Sequence, residues 1–152
     1  MIGNTMQQSP NTSNSTMVAY GAEGLLSGRT HALYAVNNTL VNDRGSGQFM
    51  SVASGTATYK SVNNLFVGGG TVDSGMAPTA TTNLATSSPA FVDRTNFDYH
   101  LTSTSPARDK GSSPGSAGSV SLTPVYQYVD PAGREARPVN GALDVGAFEY
   151  AP

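Results

Sequence analysis

The sequence contains no cysteine. Neither a disulfide framework nor a thiolate metal site can therefore form, and cysteine usage says nothing about the redox compartment. Charge is scarce as well: Asp, Glu, Lys and Arg make up 12% of the chain, and the formal net charge is −2. That leaves no broad positive field for nucleic acid or an anionic membrane surface. No apolar run approaches the roughly 18 residues of a membrane span. The opening Met1-Ile2-Gly3-Asn4 lacks the basic and apolar regions of a signal peptide, so in an exported protein the signal would lie upstream or have been removed.

What is present is Gly, Ser, Thr, Asn and Val, with nine Pro among 152 residues. This mixture favours strands and tight turns over helices, and the length suits one domain. An all-β fold is expected.

An internal repeat gives that expectation a shape. Ile2-Gly3-Asn4-Thr5-Met6, Val36-Asn37-Asn38-Thr39-Leu40 and Val62-Asn63-Asn64-Leu65-Phe66 align as apolar, small or Asn, Asn, variable, apolar. The aligned Asn4, Asn38 and Asn64 are 34 and 26 residues apart, a spacing that suits stacked coils with a longer excursion in the first. Asn tolerates the left-handed backbone of a sharp corner, and its amide can hydrogen-bond to the same residue one coil away. The repeat predicts an Asn ladder through Asn4, Asn38 and Asn64. It also predicts two apolar rows inside the stack: Ile2, Val36 and Val62, and Met6, Leu40 and Phe66.

Strands are expected at 15–20, 32–36, 48–53 and 58–62. A strict period of two that buries Val62 also buries Lys60, which leaves the strand phase there open between a reset and a bulge. The chain divides into coils over 1–70, an irregular last coil and loop over 71–95, and a capping region over 96–152. The cap is expected to wrap across the end of the stack, where the last coil would otherwise expose its interior and its backbone edge.

The terminal region carries a resemblance. Asn96-Phe97-Asp98-Tyr99-His100-Leu101, Ser105-Pro106-Ala107-Arg108-Asp109-Lys110-Gly111, Asp130, Gly133, Arg137-Pro138 and Asp144-Val145-Gly146-Ala147-Phe148-Glu149-Tyr150 resemble the end of bacterial pectate-lyase-like β-helix proteins of the choice-of-anchor Q type. Arg108-Asp109-Lys110 departs from that pattern, which has an apolar residue, Asp and a small residue there. The resemblance implies a right-handed single-stranded parallel β-helix of about three coils with an irregular C-terminal cap. It further implies a secreted or surface location and a relationship in fold to uronate lyases. Catalytic groups in such enzymes lie on central coils, so this segment alone is not expected to be catalytic.

A β-eliminating lyase needs a base and a cation that neutralises the substrate carboxylate. Lys60, Arg29 and His31 are the weak candidates for those roles, against their simpler reading as solvated charges. Asp130, Asp144 and Glu149 are acidic groups that could hold calcium. They lack the dense Asp/Gly spacing of a calcium loop, and a structural role is preferred: Asp144 in a turn, with Glu149 or Asp130 pairing Arg137 to fasten the cap. No cofactor is expected. His100, between Tyr99 and Leu101, reads as a packing residue. Gly111-Ser112-Ser113-Pro114-Gly115 matches a serine-hydrolase elbow in letters only, since no strand and helix flank it.

The expected function is a structural, capping segment of a β-helix protein that contacts polysaccharide. A uronate lyase and a self-stacking solenoid are the competing readings. Because Met1 falls in mid-coil, upstream coils or another copy of the chain are expected against the first coil.

Overall fold

The computed structural model describes residues 1–152 and is all-β, with a single 3₁₀ turn at Arg94–Asn96. No helix is long and apolar enough to cross a membrane. The chain makes successive passes through the same three parallel sheets. The first pass supplies β1 (Thr5–Gln8) and β2 (Thr16–Tyr20); the second, β3 (Ala32–Val36), β4 (Thr39–Asn42) and β5 (Gln48–Val52). The third supplies β6 (Thr58–Val62), β7 (Leu65–Gly68) and β8 (Thr71–Gly75), and the fourth, β9 (Thr79–Thr81) and β10 (Leu84–Thr86). The sheets run β3-β6-β9, β1-β4-β7-β10 and β2-β5-β8. Residues Thr5, Thr39, Leu65 and Leu84 stand in one register line. The arrangement is consistent with a β-helix-like fold.

Sequence dictates the corners. Gly3, Asn37, Asn63 and Thr82 have φ of 66°, 48°, 55° and 55°, so each pass bends between two sheets at a left-handed residue. The next residue is always Asn. Asn4 Nδ2 donates to Asn38 Oδ1 at 3.0 Å, Asn38 Nδ2 to Asn64 Oδ1 at 2.8 Å, and Asn64 Nδ2 to Asn83 Oδ1 at 3.1 Å. The backbone N–H of Asn4, Asn38 and Asn64 donates to the same three oxygens. The ladder therefore has a fourth member, Asn83. A second row runs beside it: Asn63 Nδ2 donates to Asn37 Oδ1, and the Thr82 hydroxyl donates to Asn63 Oδ1.

Residues 71–95 are more regular than expected, since β8, β9 and β10 continue all three sheets. Their sequence hides this because strands at the rim are held by backbone pairing and bury little; β9 is exposed throughout. Beyond them the chain leaves the stack through the antiparallel pair β11 (Phe91–Asp93) and β12 (Asp98–Leu101).

The apolar rows divide between two faces. Leu40 and Phe66 lie in the inner cluster with Leu33, Tyr59, Phe49 and Met50, and Met6 packs against it. Val36 and Val62, expected inside, instead face outward and pack on Leu122 of the tail. This settles the phase at Lys60 without a bulge: Tyr59 and Ser61 are buried inside, while Lys60 and Val62 share the outer face, which the tail covers.

The tail also differs from expectation in its position, lying along the flank of the stack and not across its end. Tyr99, Leu101, Ala107, Val145, Ala147 and Phe148 bury the outer faces of Val41, Leu65 and Val67. Its remaining pairs are three short antiparallel elements: β13 (Ser116–Ala117) with β14 (Val120–Ser121), and β15 (Tyr126–Val129) with β16 (Gly133–Ala136), in addition to β11 with β12. Outer-face valines that would be wet in a bare stack are thereby removed from water, at about 1.5–3 kcal/mol for each fully buried side chain.

The ladder predicts a graded response to Asn→Ala substitution. Asn64→Ala takes the acceptor from the buried Asn38 backbone N–H and Asn38 Nδ2 and the donor from the Ala35 carbonyl, each unpaired group costing about 1–3 kcal/mol, and should lower unfolding free energy by about 3 kcal/mol or more. Asn4→Ala, at the exposed end, should cost under about 1 kcal/mol. Urea unfolding of both variants checks the difference.

Candidate functional site

The three lyase candidates do not form a constellation. Arg29 is exposed in the connection between β2 and β3. The His31 ring meets the Tyr20 ring edge-on at 6.4 Å, and its Nε2 is 2.9 Å from the Leu26 carbonyl oxygen. Lys60 Nζ donates to the Pro114 carbonyl at 2.5 Å and so pins the tail to β6. No hydrogen bond or ion pair joins any two of them.

The terminal residues form one buried network. Arg137 and Glu149 are 2.8 Å apart with side chains 2% exposed. Arg137 also donates to the carbonyls of Gly146 and Asp144, each at 3.2 Å. Asp144 receives the backbone N–H of Asp109 and of Tyr150, both at 2.6 Å, so it closes two loops at once. Burial raises the Glu149 carboxyl, with Arg137 opposing, and burial likewise lowers the Arg137 guanidinium. Desolvation outweighs attraction on both partners, as it does in many buried ion pairs. Asp130 stands apart, accepting from the Tyr128 hydroxyl at 3.2 Å, and is no partner of Arg137. The acidic set is thus split, and no three His, Asp or Glu side chains are grouped to hold a metal ion. Arg108 lies over the Tyr150 ring at 4.0 Å.

A surface site around Phe97 was missed by sequence reasoning. The 3₁₀ turn Arg94–Asn96 is capped by Asp93 and ends at Phe97, which has φ 62° and is 53% exposed. A large aromatic residue in the left-handed region is uncommon, and such outliers gather at functional sites. On one side of Phe97 lies a cleft of about 230 Å³ lined by Asn96, Asp98, His100, Tyr128, Asp130 and Phe148, among others. On its other side lies a second cleft of about 280 Å³, lined by Gln7, Ser9, Pro10 and Asp43.

Hydrogen bonds and an ion pair join wall residues of both clefts. Tyr99 donates to Gln7 Oε1 at 2.5 Å, Gln7 Nε2 donates to Asp43 Oδ2 at 2.5 Å, and Arg94 pairs with the other oxygen of Asp43. Burial raises the Tyr99 hydroxyl, with the charge of Asp43 adding to it. In the first cleft His100 Nδ1 is 2.6 Å from Asp98 Oδ1, its Nε2 is 3.4 Å from Glu135 Oε1, and its ring packs on Phe148 at 4.7 Å. Gln127 donates to Glu135 at 2.7 Å and, with His100, holds that carboxyl below the usual range. His100 packs, as expected, and it also carries polar contacts that fix the cleft.

One charged group points into the stack itself. Asp73, in register with Met50, accepts a hydrogen bond from the buried Tyr59 hydroxyl, and burial raises its carboxyl. An inward charge at the last full pass discourages further strands from adding there.

The chain matches no protein-family model, no curated protein and no solved structure.

Two outcomes follow. Glu149→Gln leaves Arg137 buried and unpaired and should destabilise by about 3–5 kcal/mol in urea unfolding. A raised Asp73 carboxyl binds its proton more tightly in the folded state. The stability this proton supplies is full below the usual carboxylate value and is lost as pH rises through the raised one. Asp73→Asn should therefore be more stable than the parent at neutral pH, with the gap closing in acid; thermal melts across that range read it directly.

Proposed function

We propose that the chain is the terminal segment of a secreted or surface right-handed parallel β-helix of the pectate-lyase-like, choice-of-anchor Q type. In this reading the segment stabilises the stack and meets polysaccharide at the Phe97 clefts. The repeated passage through three sheets in register and the Asn ladder support the β-helix part. The exposed Phe97 ring between two polar clefts carries the glycan part. An aromatic face packs against the C–H face of a sugar ring, while amide and carboxylate groups beside it take the hydroxyls.

Contact is favoured over cleavage. A β-eliminating lyase needs its base and its neutralising cation together, whereas Arg29 lies exposed in a connection and His31 and Lys60 contact the Leu26 and Pro114 carbonyls. The same reading places a further turn of the stack, from a longer chain or from a second copy, against the β1 and β2 edges that no strand here pairs.

Phe97 is exposed, so Phe97→Ala should fold normally. A glycan array followed by titration calorimetry should show binding by the parent and at least about tenfold weaker binding by the variant, the order expected when one stacking ring is lost. Undiminished binding by Phe97→Ala would remove the clefts from the account.

A further inference from the structure

We infer that the Phe97 clefts select a glycan carrying protonated amino groups, a polymer of amino sugars, over uronate chains. The inference rests on the glycan reading above and adds the class of sugar. The site itself is set by the ring and its two clefts; the charges around them decide what can lie there.

In the first cleft the lining includes Asp98 and Asp130 and neither Lys nor Arg. Asp98 uses Oδ1 for both its contacts, with the His100 backbone N–H at 3.0 Å and with His100 Nδ1 at 2.6 Å. Asp130 uses Oδ1 for the Tyr128 hydroxyl at 3.2 Å. The Oδ2 atom of each accepts nothing from the protein, which leaves two carboxylate oxygens for a ligand on the wall beside an exposed ring. His100, the one group in this cleft that can become cationic, is already shared between Asp98 and Glu135. In the second cleft Asp43 is the charged wall, and the neighbouring Arg94 is committed to it. A chain of carboxylates laid across Phe97 would face Asp98 and Asp130 in the first cleft and would find no Lys or Arg in the lining of either cleft, which is destabilising. An ammonium group would instead gain charge-assisted hydrogen bonds, about twice as strong as neutral ones.

The size of the site fits a chain lying on the surface. About 230 Å³ is below the ~300–1,000 Å³ of enclosed small-molecule pockets, so the first cleft holds a portion of a glycan whose neighbouring units rest on Phe97 and in the second cleft.

The test uses glucosamine oligosaccharides, the same oligosaccharides fully N-acetylated, and oligogalacturonates, titrated into the full chain at mildly acidic pH. Chain length and backbone are common to the first two, so amine charge is the variable. The expected result is binding of the free-amine oligomer at least about tenfold tighter than its acetylated counterpart, with no uronate binding. That preference should vanish in Asp98→Asn/Asp130→Asn, whose circular dichroism spectrum should match the parent's. Equal binding of acetylated and free-amine chains, uronate binding, or a preference that survives the double substitution overturns the charge inference and leaves the glycan reading standing. Failure to bind any of these or any glycan on an array overturns both.

Discussion

Everything in this structure depends on pairing the polar groups buried at the corners. Each pass must bend between sheets, and the bend points backbone N–H and amide groups into a dry region where each unpaired group costs about 1–3 kcal/mol. Asn answers the geometry twice. In the left-handed position Asn37 and Asn63 supply the bend; in the next position Asn4, Asn38, Asn64 and Asn83 pass hydrogen bonds from one pass to the next. Asn38 and Asn64 are fully buried, so no water substitutes for the ladder there.

The same corner also receives the tail. Asn37 Nδ2 donates to the Asp144 carbonyl at 2.9 Å, and Gly146 N–H donates to the Asn63 carbonyl at 2.8 Å. Ser112 N–H donates to Asn63 Oδ1 at 3.0 Å, and Ala147 N–H to Thr39 Oγ1 at 2.9 Å. Gly146 is required for this approach: its φ is 101°, and a Cβ would come within 2.7 Å of Thr39 Oγ1. The Arg137–Glu149 pair and Asp144 then hold the segment around Gly146 in shape. Corner, flank and surface are coupled, because Tyr99, a buried residue of the tail, reaches Gln7 of β1 and lines the first cleft together with Phe97.

The corners were legible in the sequence because the two Asn positions repeat with apolar neighbours, and β2, β3, β5 and β6 fall within the expected strands, whereas β8 of the third pass lies in the stretch expected to be irregular. Asn83 escaped notice because Thr81 and Ala85 stand where the second and third passes have Val36 and Leu40 or Val62 and Phe66, and because Thr82 in a left-handed turn has no sequence signal. The wrong face was assigned to Val36 and Val62 for a different reason. A valine covered by a distant tail and a valine inside a stack look the same in sequence, and only the contact with Leu122 separates them. Nothing in the sequence around Phe97 marks it as exposed, because its exposure follows from the capped turn at Asp93 and not from its own identity. The charged candidates failed as a group because composition shows which residues could do chemistry, whereas convergence is a property of the fold.

The central claim is that the buried Asn ladder is the cooperative spine of the stack. Amide hydrogen exchange followed by NMR tests it most directly, at both the side-chain amides of Asn38 and Asn64 and the backbone N–H of Asn38, Asn64 and Leu65. These protons should exchange together, only through global unfolding, with the free energy measured by denaturant. Exchange of the ladder amides at rates like those of the exposed residues 26–30, between β2 and β3, would overturn that reading.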